Sequence, residues 1–255
     1  MKRLLLASLL IVLPLAARAD TTEPRVLSAD AQTADVDTVA LEIGVGEVHV
    51  TASSDDKVHA RVTLRRKQRE FMWFFHWMTE GSTSAIAAAR IDERSSGGRL
   101  TLSLALPHSS DQDDLKQEWD VQLPARLKLD AVMDVGDLSI EGVAGGVMAK
   151  LNVGELSLDL PQGSIDANVN VGEIRAKSAS THHGRIELSS SIGDVALFQQ
   201  GSEAGTHRHG GLGSRVSLDG SGPDDIQLKL NIGEVTLHLD SQDEGKAYAK
   251  DGSGK

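Results

Sequence analysis

A seven-residue unit recurs along this chain, and no other feature restricts its fold as tightly. The copies read GVGEVHV (44–50), DVGDLSI (134–140), NVGELSL (152–158), NVGEIRA (170–176), SIGDVAL (191–197) and NIGEVTL (231–237). Their second glycines are Gly46, Gly136, Gly154, Gly172, Gly193 and Gly233. From Gly136 onward the steps are 18, 18, 21 and 40 residues, the last being two periods. Gly213 lies midway in that double step, within GLGSRVSL, and reads as a degenerate copy. Half-copies fall between the full ones, as in GGVMAKL, QGSIDANV and HGRIEL. The finer unit is thus about nine residues, a glycine turn followed by one alternating strand.

Apolar parity shifts across each glycine–acid pair. Leu151 and Val153 are odd-numbered, whereas Leu156 and Leu158 are even. A bend at the glycine, where positive φ costs little, returns the second half of the strand to the same interior. Two readings follow: an antiparallel meander of nine-residue strands, or a flattened β-solenoid with coils of about 18–20 residues. Full copies recur at eighteen rather than nine, which favours the solenoid, because a single coil cannot bury its own apolar face.

The expected order is a leader (1–19), a flexible N-terminal segment (20–37), one β-repeat domain (38–240) interrupted at 65–85, and a flexible tail (241–255). The leader, MKRLLLASLLIVLPLAARAD, has a basic start, a short apolar run and an Ala17-Arg18-Ala19 cleavage pattern. Its removal leaves 236 residues with 23 basic and 37 acidic side chains, a net charge of −14. Such a charge favours solubility and argues against nucleic acid as a partner. Cysteine is absent, which removes disulfides, thiolate metal sites and lipidation. Together these point to an exported protein of the periplasm or cell surface.

An opening stretch VHVTASSDDKVHARV, then WDVQLPARLKLDAVMDVGDLSIEG and serial xGE or xGD turns, resembles the bacterial putative-adhesin family, the toast-rack group of β-repeat domains. The similarity spans roughly residues 38–240. It implies an exported envelope domain of stacked strands, with no known chemistry and no residues to carry over to a site.

Several groups compete as functional residues. The acids after the repeat glycines (Asp137, Glu155, Glu173, Asp194 and Glu234) form a potential column about 4.8 Å apart, either a solvated turn edge or a seat for Ca²⁺. The turn-edge reading is favoured, because calcium repeats pair Asp with several glycines. Asn152, Asn170 and Asn231 precede the turns at one offset and read as structural. His182, His183, His207 and His209 crowd two loops and would serve Zn²⁺ or Cu²⁺ if those loops met. No nucleophile elbow, zinc helix or phosphate loop is present, and acids at equivalent repeat positions point to architecture rather than a glycosidase pair. A non-enzymatic module without a cofactor is expected.

One segment departs from the repeat. FMWFFHWM (71–78) holds five of the eight aromatic residues and follows RRKQRE. Arg65, Arg66, Lys67 and Arg69 precede Phe71, Trp73, Phe74, Phe75 and Trp77. Neither a helix nor a strand puts these aromatics on one dry face, so something must cover them. Three covers fit: the open end of the solenoid core, capped by a short helix; an anionic membrane surface; or the groove of an envelope protein. Solenoid ends also offer a route to self-association.

Overall fold

The computed structural model describes residues 24–66, 86–107, 115–180, 182–199, 202–205 and 213–239. Strands dominate them: β1 (Arg25–Gln32), β2 (Thr38–Ser53), β3 (Lys57–Arg66), β4 (Arg90–Ser96), β5 (Arg99–Ala105), β6 (Leu115–Pro124) and β7 (Lys128–Glu141). They continue as β8 (Val147–Leu160), β9 (Ile165–Ser178), β10 (His183–Ile192), β11 (Val195–Gln199), β12 (Ser202–Gly205), β13 (Ser214–Asp219) and β14 (Asp224–Leu239). The class is all-β, as the alternation predicts. Residues 86–88 are the only helical ones described.

All fourteen strands join one sheet with the main path β1-β3-β6-β2-β7-β8-β9-β14-β10-β13. Its centre is parallel: β2 with β7, β7 with β8, β8 with β9, and β9 with β14. Antiparallel pairs lie toward the flanks, as in β1–β3, β3–β6, β4–β5, β10–β13 and β11–β12.

Register explains the eighteen-residue period. Val147 lies beside Ile165, and Gly154 beside Gly172, so each residue faces its repeat equivalent. A straight fourteen-residue strand would be about 46 Å long. Yet Ile165 follows Leu160 by five residues, a reach of at most about 18 Å, and it sits next to Val147. Strand β8 therefore folds back on itself, and the glycine at its middle is where it turns. On both sides of that turn the inner residues are buried: Val147, Ala149 and Leu151 before it, Leu156, Leu158 and Leu160 after it. They belong to a single core cluster.

The stack ends by splitting. The first half of β2 pairs with β5, and its second half with β6. At the other end the first half of β14 pairs with β10 and its second half with β11. Each end thus divides into two shorter arms closed by antiparallel strands.

Four expectations need correction. The repeats do not pair in chain order, because β14 inserts between β9 and the β10/β11 pair. β14 is a full copy running unbroken through its glycine, so it continues every row of β9, whereas the 183–199 copy is interrupted at Gly193-Asp194. Gly213 leads into the antiparallel strand β13 rather than another parallel copy of the repeat. Residues 25–32, assigned to a flexible segment, form edge strand β1 in register with β3. Arg65 and Arg66 belong to β3, not to an insertion, because they pair with Lys116 and Leu115. The proposed helical aromatic insertion lies from residue 67 onward outside the described residues, as do the leader and the tail from 240.

Candidate functional site

The parallel centre builds its most regular surface at the bends. Four rows run side by side along the paired strands there, each made of residues that face one another across the pairing.

The innermost row is glycine. A Cβ on Gly136 would lie 1.7 Å from the carbonyl oxygen of Gly46, and one on Gly172 1.7 Å from that of Gly154. Gly233 meets the Gly172 carbonyl at 1.8 Å and Gly193 that of Gly233 at 1.9 Å. The row order is therefore 46, 136, 154, 172, 233, 193. φ is positive, between 133° and 144°, at the last five. The Ser190 hydroxyl donates to the Gly233 carbonyl at 3.1 Å, and the Ser214 hydroxyl to that of Gly193 at 3.0 Å.

Outward of it, Asn170 Nδ2 donates to Asn152 Oδ1 at 2.8 Å, and Asn231 Nδ2 donates to Asn170 Oδ1. The asparagines form a ladder, as their common offset predicts. Between this ladder and the glycines stand Val135, Val153, Val171, Ile232 and Ile192, each between 40% and 46% exposed. Parity from the sequence points Val153 and Val171 inward. They instead face solvent, because the bend takes up residues 152–155 and the inward alternation resumes only at Leu156. This ridge leaves about 1 kcal/mol of burial unrealised per residue, about 5 in all.

The fourth row is acidic. Glu118 pairs with Glu47, Glu47 with Asp137, Asp137 with Glu155, Glu155 with Glu173, and Glu173 with Glu234. Asp194 follows beyond Glu234, since its carbonyl accepts the Val235 amide at 3.0 Å. The sequence reading omitted Glu47 and Glu118 and put Asp194 beside Glu173. Arg175 bridges Glu155 and Glu173, reaching the latter at 2.5 Å. Lys116 lies 3.5 Å from both Glu47 and Glu118. Asp137 and Glu234 have no cationic partner among the described residues. Burial, then the Glu234 carboxylate, holds Glu173 above the usual carboxylate range in spite of the guanidinium beside it.

Shallow depressions lie along the asparagine and acid rows. One of about 250 Å³ lies on the asparagine side against Asp134, Lys150, Asn152 and Asn170. Another of about 160 Å³ lies on the acid side, lined by His49, Asp137, Glu155 and Ser157. A larger trough of about 600 Å³ lies at the strand starts, with Lys128, Gly145, Gly146, Ser164 and Arg185 among its lining residues.

The other sequence candidates are dispersed. Arg65 ends β3 with its guanidinium 3.6 Å from Glu118. Lys67, Arg69, Phe71, Trp73, Phe74, Phe75 and Trp77 lie outside the described residues, as do His207 and His209. His182 and His183 sit at the start of β10, and burial depresses the His183 imidazole below its ordinary range. Among the described residues, no three His, Asp or Glu side chains form a group suited to a metal ion. A cluster the sequence reading missed joins β1 to β3: His59 Nδ1 lies 2.5 Å from Asp30 Oδ1, and Nε2 3.0 Å from Asp55 Oδ2. Only strand pairing brings Asp30 to His59, so no local signal marks it.

The fold and the bend surface define an all-β protein of in-register parallel strands. The fold has a counterpart in a putative cell adhesion protein from Clostridium sporogenes, at a TM-score of 0.51 and 11% identity over 86% of this chain and 100% of that one. A putative adhesin from Bacteroides fragilis is 12% identical over 85% of this chain and 98% of its own, with a TM-score of 0.29. One from Parabacteroides distasonis is 12% identical over 86% and 98%, with a TM-score of 0.27. The likeness to the first is one of fold. It agrees with the putative-adhesin resemblance of the repeat turns. No protein-family model and no curated protein matches the chain.

Proposed function

We propose that this chain is an exported, non-enzymatic cell-envelope protein of flattened β-solenoid build, acting as an adhesin-like structural or binding module. The observation that carries this reading is the bend surface, where parallel coils in register present asparagine, valine or isoleucine, glycine and acid as continuous rows. A surface repeated at strand spacing suits an extended partner better than a small substrate. The leader-like first nineteen residues and the fold of a protein described as a cell adhesion protein support export and binding.

The test is expression of the full chain in a Gram-negative host, followed by fractionation and N-terminal sequencing. The expected product begins at Asp20 and is recovered from the periplasm or by mild surface proteolysis. Recovery from the cytoplasm with Met1 intact overturns the export reading.

A second reading, docking on an anionic membrane through residues 65–78, is favoured by the exposed Arg65 side chain at the point where the basic–aromatic segment begins. Trp119 is fully buried, so Trp119→Phe leaves Trp73 and Trp77 as the only indole reporters. Emission that shifts blue on adding anionic liposomes supports docking. Emission unmoved by lipid rules it out.

A further inference from the structure

We infer that the ridge Val135–Val153–Val171–Ile232–Ile192, with the acid row beside it, is a docking surface for a cationic, apolar-faced polypeptide segment lying along the stack. This deepens the binding-module reading and rests on it.

The ridge is a line of β-branched side chains about 19 Å long at strand spacing, each less than two-thirds covered. The acid row beside it runs from Glu118 through Glu234 to Asp194, about 29 Å. Its charge is balanced from within only in part. Arg65 and Lys116 serve one end and Arg175 the middle, while Asp137 and Glu234 lack a cation among the described residues. The depression of about 160 Å³ lined by Asp137 and Glu155 lies on the acid row and suits a lysine or arginine head. Valine or leucine side chains of the same partner would then lie on the ridge.

Charge decides between occupants. A second copy of this chain would bring its own acidic surface, and two molecules of net charge −14 repel at low salt. An anionic lipid surface meets the same repulsion at this row. A cationic segment gains from both features, because apolar contact fixes its position and the acids steer it in. Asp137 and Glu234, the acids of the row without a cation among the described residues, are where an added cation gains most.

The probe is a fluorescein-labelled, amidated eight-residue peptide alternating lysine and valine, about 27 Å when extended. Fluorescence anisotropy with the full mature chain should show saturable binding that weakens at least fivefold between 50 and 300 mM NaCl. The triple variant Val153→Thr/Val171→Thr/Ile232→Thr keeps β-branched shape and should weaken binding at least fivefold with an unchanged melting temperature. Asp137→Asn/Glu234→Gln should weaken it and flatten the salt dependence. A peptide alternating lysine and serine tests the apolar contact without altering the protein, and it should bind at least fivefold more weakly. Equal binding of the two peptides means plain charge attraction and overturns the proposal. Self-association that the threonine variant abolishes also overturns it, in favour of a second copy. Cytoplasmic retention would sink the export reading while leaving this measurement standing, so the two failures are distinguishable.

Discussion

A Cβ placed on Gly154 would lie 1.8 Å from the carbonyl oxygen of Gly136 in the neighbouring strand. Backbone meets backbone there, so no side chain can move aside, and the φ of 144° adds strain for any L-residue. Gly154→Ala is expected to cost about 3 kcal/mol or more. Gly97→Ala makes the contrast: φ is 57°, but nothing lies within 4 Å of the added carbon. It should cost only about 1 kcal/mol. Urea titration of both variants checks the difference, and equal losses would mean that the bend yields.

Trp119 Nε1 donates to Gln117 Oε1 at 3.0 Å, and both side chains are buried. Gln117 Nε2 has no acceptor among the described residues. Removing one partner leaves a buried polar group alone, so Trp119→Phe and Gln117→Met should each cost about 1–3 kcal/mol. The double variant removes both and should cost about 1 kcal/mol less than the sum. Chemical denaturation of the four proteins closes the cycle, and strict additivity would count against the coupling.

His59 holds the edge strand β1 to β3 through Asp30 and reaches the 53–57 turn through Asp55. Hydrogen bonds to Asp55 and then Asp30 raise its pKa, and the His59 bond lowers that of Asp55. A raised histidine stabilises fully below its unfolded value and loses this as pH rises through the folded one. A lowered carboxylate stabilises above its unfolded value and loses this as pH falls through the folded one. The clamp is therefore strongest in mildly acidic solution. The melting-temperature gap between the native chain and His59→Gln should peak there and narrow on both sides. Salt should shrink it, because the groups are exposed. A gap constant from pH 4 to 9 would contradict the clamp.

Burial is the larger cause of the raised Glu173 pKa and Glu234 the smaller. Glu234→Gln should lower it part of the way toward the ordinary value, readable by carboxyl NMR titration. With the native pair, the cost of ionising Glu173 is absent below its unfolded pKa and appears as pH rises through its folded one. A Glu173 titration unmoved by the substitution would show that burial acts alone.

The candidate surface was partly legible. The offset that places Asn152, Asn170 and Asn231 before each turn predicts their ladder, and the acids after the glycines predict most of the fourth row. Glu47 belongs to the first copy and could have been counted, since its Gly46 aligns with the others. Glu118 could not, because β6 carries no repeat glycine and meets β2 only through long-range pairing. The valines misled because parity says which residues share a side, not where within a bend the side changes.

The sequence by itself determined the all-β class, the repeat period near eighteen and the glycines at which strands turn. These follow from alternation and sterics within about twenty residues of chain. Only the tertiary structure decided which repeat lies beside which, so that Gly233 and not Gly193 stacks on Gly172. It also decided that Val153 and Val171 face water and that Asp30 meets His59. Near-identical repeats carry nearly the same local signal. Their order is chosen by the fit of whole faces over long separations, as when Asn231 and Glu234 continue both rows of β9.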